Sequence, residues 1–319
     1  MAADDSNQVA ISDEETEEQP KILEGRELDV IRLDPEATDV DLNHLRIGKI
    51  EHLDVLARVE TLCFRQNLIK KIENLDCVKD TLHELDLYDN QLTKIENLEA
   101  LINLEQLDLS FNFIKAIENL DTLVEVSKLY LIQNRIKKIE NIGHMINLTM
   151  LELGSNQIRK IENLDSLVNL ESLYLGRNKI TKLDNLGSLK KLKILSIQSN
   201  RIVKLEGLEE LESLEHLYLS DNGIEKIESL DKNLKLETLD LASNRIKRIE
   251  NVSHLVNLEE FWFNDNQVEN WSDIDQLKNA TQLETVYLER NPIHKDPAYR
   301  RKIKLTLPWI KQIDATLCG

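Results

Sequence analysis

The sequence predicts an α/β leucine-rich repeat solenoid with parallel strands on its concave face, 22-residue repeats and a C-terminal cap. Three observations lead there. Residues 148–156 read Leu-Thr-Met-Leu-Glu-Leu-Gly-Ser-Asn and fit the pattern L-x-x-L-x-L-x-x-N. Asn67, Asn90, Asn112, Asn134, Asn156, Asn178, Asn200, Asn222, Asn244, Asn266 and Asn291 each close a copy, and from Asn90 to Asn266 every interval is 22 residues. A second string follows each asparagine, with residues 71–75, 94–98 and 160–164 all reading Lys-Ile-Glu-Asn-Leu.

One repeat explains the pattern. Along Leu151-Glu152-Leu153 the side chains alternate, so the leucines face inward and Met150, Glu152 and Gly154 face outward. The asparagine turns the chain, and its amide is expected to bond the turn's own backbone and that of the next coil. Ile158, Ile161 and Leu164 close the coil from the far side. A lone coil leaves its apolar edges wet, and a neighbour on each side covers them. Eleven stacked strands would span on the order of 50 Å.

Taken in order, residues 1–36 form an acidic tail, 37–290 a solenoid of eleven or twelve repeats, and 291–319 the cap. The tail holds twelve acids against Lys21, Arg26 and Arg32, which is half of the chain's net charge of −18. Such composition predicts disorder, with Ser6, Ser12 and Thr16 as candidate phosphate acceptors. A degenerate first repeat follows, with Leu45 standing 22 residues before Asn67. In the body, the asparagine of Lys-Ile-Glu-Asn-Leu, replaced by Gly207 and Ser229 in two coils, is placed to cap a short helical turn. The alternating Lys and Glu read as a solvated surface. Beyond Asn266 the rhythm loosens: Trp271 takes an isoleucine position, and a helix is predicted after Pro297. Leu305, Leu307, Ile310 and Ile313 are expected to form an apolar lid.

The acidic balance disfavours nucleic acid and anionic membranes as partners and favours a basic protein surface. Three dispersed cysteines argue against a disulfide framework and for a reducing compartment. The acidic start, Met-Ala-Ala-Asp-Asp, is not a signal peptide, and no apolar run approaches membrane-spanning length. No phosphate-binding glycine loop, zinc-ligand spacing or H-E-x-x-H is present, so no enzyme, cofactor or metal is expected. His144 and His254 share one repeat position and read as convex surface residues, and Cys63 has no histidine beside it to activate a thiol.

The informative residues face outward on the strands: Cys63, Asp86, Asp108, Tyr130, Glu152, Tyr174, Ser196, Tyr218, Asp240, Trp262 and Tyr287, with Glu260 beside them. No packing demand inside a coil selects these types. Aromatic rings among carboxylates on one wall make a hot-spot strip for a basic, partly apolar partner.

Several strings are more specific than the generic repeat. They include Asp39-Val40-Asp41-Leu42-Asn43-His44, Glu260-Phe261-Trp262, and residues 283–292, Leu-Glu-Thr-Val-Tyr-Leu-Glu-Arg-Asn-Pro. On these the chain resembles the SDS22 family, the regulatory subunit 7 type of protein phosphatase 1 regulators, over residues 37 to 319, and its repeats are SDS22-like. The resemblance implies a non-enzymatic regulatory subunit that binds the protein phosphatase 1 catalytic subunit through the concave face. The partner-binding residues would be Asp108, Tyr130, Glu152, Tyr174, Asp240, Glu260, Trp262 and Tyr287. Tyr130 and Tyr174 stand where the family carries phenylalanine. The resemblance further implies a nuclear protein with a cytoplasmic share and roles in phosphatase maturation and chromosome segregation. It leaves room for a third regulatory protein and a chain that is a monomer on its own. One fact fits such docking independently: none of the five phenylalanines or three tryptophans has Val or Ile two places before it, so the short linear phosphatase-docking pattern is missing. The alternative is a ribonucleoprotein or nuclear scaffold that uses the same face, with Arg300, Arg301 and Lys302 contributing.

Overall fold

A computed structural model describes residues 31–318. The acidic tail, with Ser6, Ser12 and Thr16, lies largely outside the described residues.

Each strand is only three residues long, one inward residue between two outward ones, because the turn at the asparagine follows at once. Twelve such strands, from Asp39–Asp41 to Thr285–Tyr287, stack in sequence order as a parallel sheet. Gln312–Ile313 extends it in parallel, and Thr316–Leu317 closes it antiparallel. The register never slips: Leu151 sits opposite Leu129 on one side and Leu173 on the other. The inward leucines and isoleucines of the body are almost wholly buried and form one continuous core along the axis. Strands pack about 4.8 Å apart while the opposite side is built of bulkier turns, so the arc closes with the strands inside.

The turn asparagine is the second structural device. Asn156 Nδ2 donates to the carbonyls of Leu153 and Gly154 in its own turn and to Leu131 in the coil before, while its Oδ1 accepts from Ile136 N–H at 3.0 Å. The bonds between coils therefore run to the preceding coil, not to the next one as the sequence suggested. The residue before each of these asparagines has positive φ, as at Ser155 (φ 55°). The amide bonds offset that local backbone cost.

The asparagine of Lys-Ile-Glu-Asn-Leu does something other than cap a helix. Asn163 takes φ 60°, and its Nδ2 reaches the Ile139 carbonyl of the preceding coil at 2.7 Å. Asn74, Asn97, Asn119, Asn141, Asn185 and Asn251 repeat both features. A second amide ladder thus runs along the outer side, where tight turns replace regular helix. His144 and His254 join this side, each with Nε2 against a carbonyl of the preceding coil (Leu120 and Leu230). They are half-buried structural groups rather than free surface residues.

At the C-terminal end a helix spans Tyr299–Thr306. Ile303, Leu307, Ile310 and Ile313 are buried against the last coils, whereas Leu305 points to solvent and is not part of the lid. The Tyr299 hydroxyl donates to Asp314, whose Oδ1 also accepts the N–H groups of Leu288 and Glu289. Asp314 thereby satisfies donors that the next coil would have taken.

Candidate functional site

The unslipped register turns a sequence period into a straight row. Asp108, Tyr130, Glu152, Tyr174, Ser196, Tyr218, Asp240, Trp262 and Tyr287 are consecutive partners on neighbouring strands. Seven of the eight sequence-predicted residues therefore lie in one line roughly 40 Å long at strand spacing. Glu260 sits one step upstream on the same face, between Thr238 and Thr285.

The row has two ends of different character. At the C-terminal end, Trp262 is 36% exposed and packs against Tyr287 with ring centroids 5.7 Å apart. The Tyr287 hydroxyl accepts from Gln312 Nε2 at 2.9 Å, so the cap holds this ring in place. Such a braced aromatic pair loses little freedom on contact with a partner. Towards the N-terminal end the row is acidic. Tyr130 stands between Asp108 and Glu152, and Tyr174 follows Glu152. Burial holds Glu152 near pKa 7, with the Asp108 charge adding to the effect against the Gly154 N–H bond. Burial likewise pushes Asp108 and Asp240 up.

The acids also serve the coil, which sequence reasoning missed. Asp86, Asp108, Glu152 and Asp240 each accept the backbone N–H two residues on, at 2.8 to 3.0 Å. These bonds satisfy donors at the strand end, just before the turn. Packing therefore does help choose the acids. Asp240 goes furthest: it is only 3% exposed and presents almost no surface to a partner. Its expected contact role is corrected to support of the turn beneath Trp262.

A second aromatic group lies on the flank next to the row. The Arg65 guanidinium covers the Tyr88 ring at 4.3 Å, and Tyr88 packs on Phe111 at 4.7 Å. Phe111 and Phe113 are 38% and 40% exposed, and Arg135 lies 4.6 Å over the latter. The signal was available: Phe111 and Phe113 bracket Asn112 where most coils carry polar residues.

Other candidates resolve quietly. The Cys63 thiol donates to Asn43 Oδ1, and burial, aided by Asp86, pushes its pKa up, away from a reactive thiolate. In the cap, Arg300 donates to the carbonyls of Ile313 and Thr316, and Lys302 binds Asp296 at 2.5 Å while sitting over the Trp271 ring. Two members of the basic cluster are thus engaged in holding the cap. Among the described residues, no helix is long and apolar enough to cross a membrane.

Comparison with known proteins adds to the geometry. The leucine-rich repeat family profile matches residues 210–316, and a two-copy leucine-rich repeat profile matches 80–122 and 168–210. A protein of Danio rerio named protein phosphatase 1 regulatory subunit 7 is 72% identical over 46 residues, and its human counterpart 70% over 46. The fission yeast protein phosphatase 1 regulatory subunit SDS22 is 53% identical over 45 residues. The chain carries leucine-rich repeats, and over this stretch it is similar to SDS22-type proteins. Each alignment covers 14% of this chain and 13% or 14% of the relative, so the matched stretch is about an eighth of those proteins. Among solved structures, a leucine-rich repeat protein of Leptospira interrogans aligns with TM-score 0.68 at 23% identity, covering 82% of this chain and 73% of that one. An internalin of Listeria monocytogenes aligns with TM-score 0.65 at 25% identity, covering 88% and 87%. These two speak for the fold alone.

Proposed function

We propose that the chain is a non-enzymatic regulatory subunit that binds the catalytic subunit of protein phosphatase 1 through the strand face. The observation that carries this reading is the unbroken row from Asp108 to Tyr287, ending in the braced Trp262–Tyr287 pair. The names of the SDS22-type relatives supply the identity of the partner. Trp262 and Tyr287 act as desolvated anchors; Tyr130 and Tyr174 offer flatter aromatic contact; Asp108, Glu152 and Glu260 draw a basic patch into register. Asp240 contributes by holding the turn below the anchors. On its own the chain is a monomer; it works in the nucleus, with a cytoplasmic share, and a third regulatory protein can join the pair.

The test is direct binding of purified catalytic subunit to wild-type chain and to Trp262→Ala. The variant is expected to bind about thirtyfold more weakly, or about 2 kcal/mol, with an unchanged denaturation midpoint. Equal affinity in the folded variant removes the anchor assignment. Equal affinity in a Trp262→Ala/Tyr287→Ala/Tyr174→Ala chain moves the interface off this face. Fluorescence microscopy of the tagged chain tests the nuclear assignment.

A further inference from the structure

We propose that the chain's own N-terminal segment, residues 1–30, docks on the basic outer flank of the middle coils. The argument begins with where the cations fall. In each coil the residues just after the turn asparagine run from the strand face towards the outer side, with two isoleucine or leucine positions buried and the rest facing water. The four stretches 135–140, 157–162, 179–184 and 201–206 carry nine Lys and Arg against four Asp and Glu. Because coils stack about 4.8 Å apart, these charges share one band roughly 15–20 Å long. The solenoid thus concentrates five excess positive charges on one flank of a chain whose net charge is −18.

Two features make the band more than a solvated face. A shallow groove of about 260 Å³ opens at its centre, with Arg159, Lys160, Thr181 and Lys182 in its lining and Glu162 and Asp184 beside them. Among the described residues of this band, only Lys204 comes within 4 Å of a carboxylate, that of Glu206. The remaining cations carry an electrostatic field that an anionic ligand can neutralise.

Residues 1–30 have the matching chemistry. They hold ten acids and two bases, and five of the six residues 13–18 are acidic. Their tether is favourable as well. Ile31 and Leu33 pack against the first coil, so the segment starts at one end of the flank. Thirty residues reach at most about 100 Å, several times the distance needed. The basic band begins about four coils, or roughly 20 Å, from the tether. Tethering converts weak individual pairs into a concentrated local contact. The strand face is a poorer host for the segment, because its ionised carboxylates, Asp86 among them, carry the same sign of charge.

The test is zero-length carbodiimide coupling of carboxylates to lysines in the full chain at low protein concentration, read by mass spectrometry. Intramolecular links from residues 13–18 to Lys137, Lys138, Lys160 and Lys182 are expected. They should fall on the order of fivefold in 0.5 M salt, where the screening length drops to about 4 Å. A Lys137→Glu/Lys160→Glu/Lys182→Glu chain, shown folded by its circular dichroism, should lose the links at Lys138 as well. Links spread evenly over all surface lysines, links that persist in high salt, or links that join two chains overturn the proposal.

Discussion

At the scale of single residues, the two asparagine ladders are not equivalent. Asn156 makes four hydrogen bonds from a buried position, whereas Asn163 makes one from an exposed position. Asn156→Ala is expected to cost about 3 kcal/mol in urea denaturation, and Asn163→Ala about 1 kcal/mol. Glu152 gives a prediction with a pH sign. Its folded pKa near 7 lies above the ordinary carboxylate value, so the folded chain holds the extra proton between about pH 4.5 and pH 7. Stability then falls as pH rises through that window and levels off above it. Glu152→Gln should flatten that slope, by on the order of 1 kcal/mol between pH 5 and pH 7. The groups facing Glu152 along the row are Tyr130 and Tyr174 on the adjacent strands, with Asp108 beyond Tyr130. If Glu152 meets a basic partner, binding by the wild type should strengthen from pH 6 to pH 8, and binding by the variant should not.

At the scale of the coil and the cap, conformational demands decide more than composition does. Gly207 stands where seven coils use asparagine, with φ 72°, and a Cβ there would come 2.2 Å from the Leu183 carbonyl oxygen. Elsewhere that carbonyl position receives the asparagine amide; here the backbone itself closes in. Gly207→Ala should therefore destabilise by about 1–3 kcal/mol, measured by chemical denaturation. Tyr299→Phe in the cap helix removes the bonds to Asp314 and should cost about 1–2 kcal/mol. Much of this level was legible. The inward leucines, the strand row and the helix after Pro297 follow from spacing alone. The left-handed role of Asn163 was not, because a cap and a left-handed turn select the same residue type. Nor was the service of Asp240 to its own turn, because sequence shows which side a residue faces but not what its oxygens accept.

At the scale of the whole molecule, each coil touches only its neighbours, so the ends carry the burden of sealing the core. A chain stopped at Asn291 would uncover Val286 and Leu288 of the last coil, both buried in the intact protein. Light scattering should report its self-association at concentrations where the full chain stays dispersed. The even register has one more consequence. A repeat that never slips makes the sheet a ruler, graduated in steps of one strand. Splicing in a duplicate 22-residue module between Tyr174 and Tyr218 would leave every coil content with its new neighbour. Yet it would carry Trp262 and Tyr287 one graduation further from Asp108 and Tyr130. A rigid partner gauged to the original distance could then grasp one end of the arc or the other, but not both.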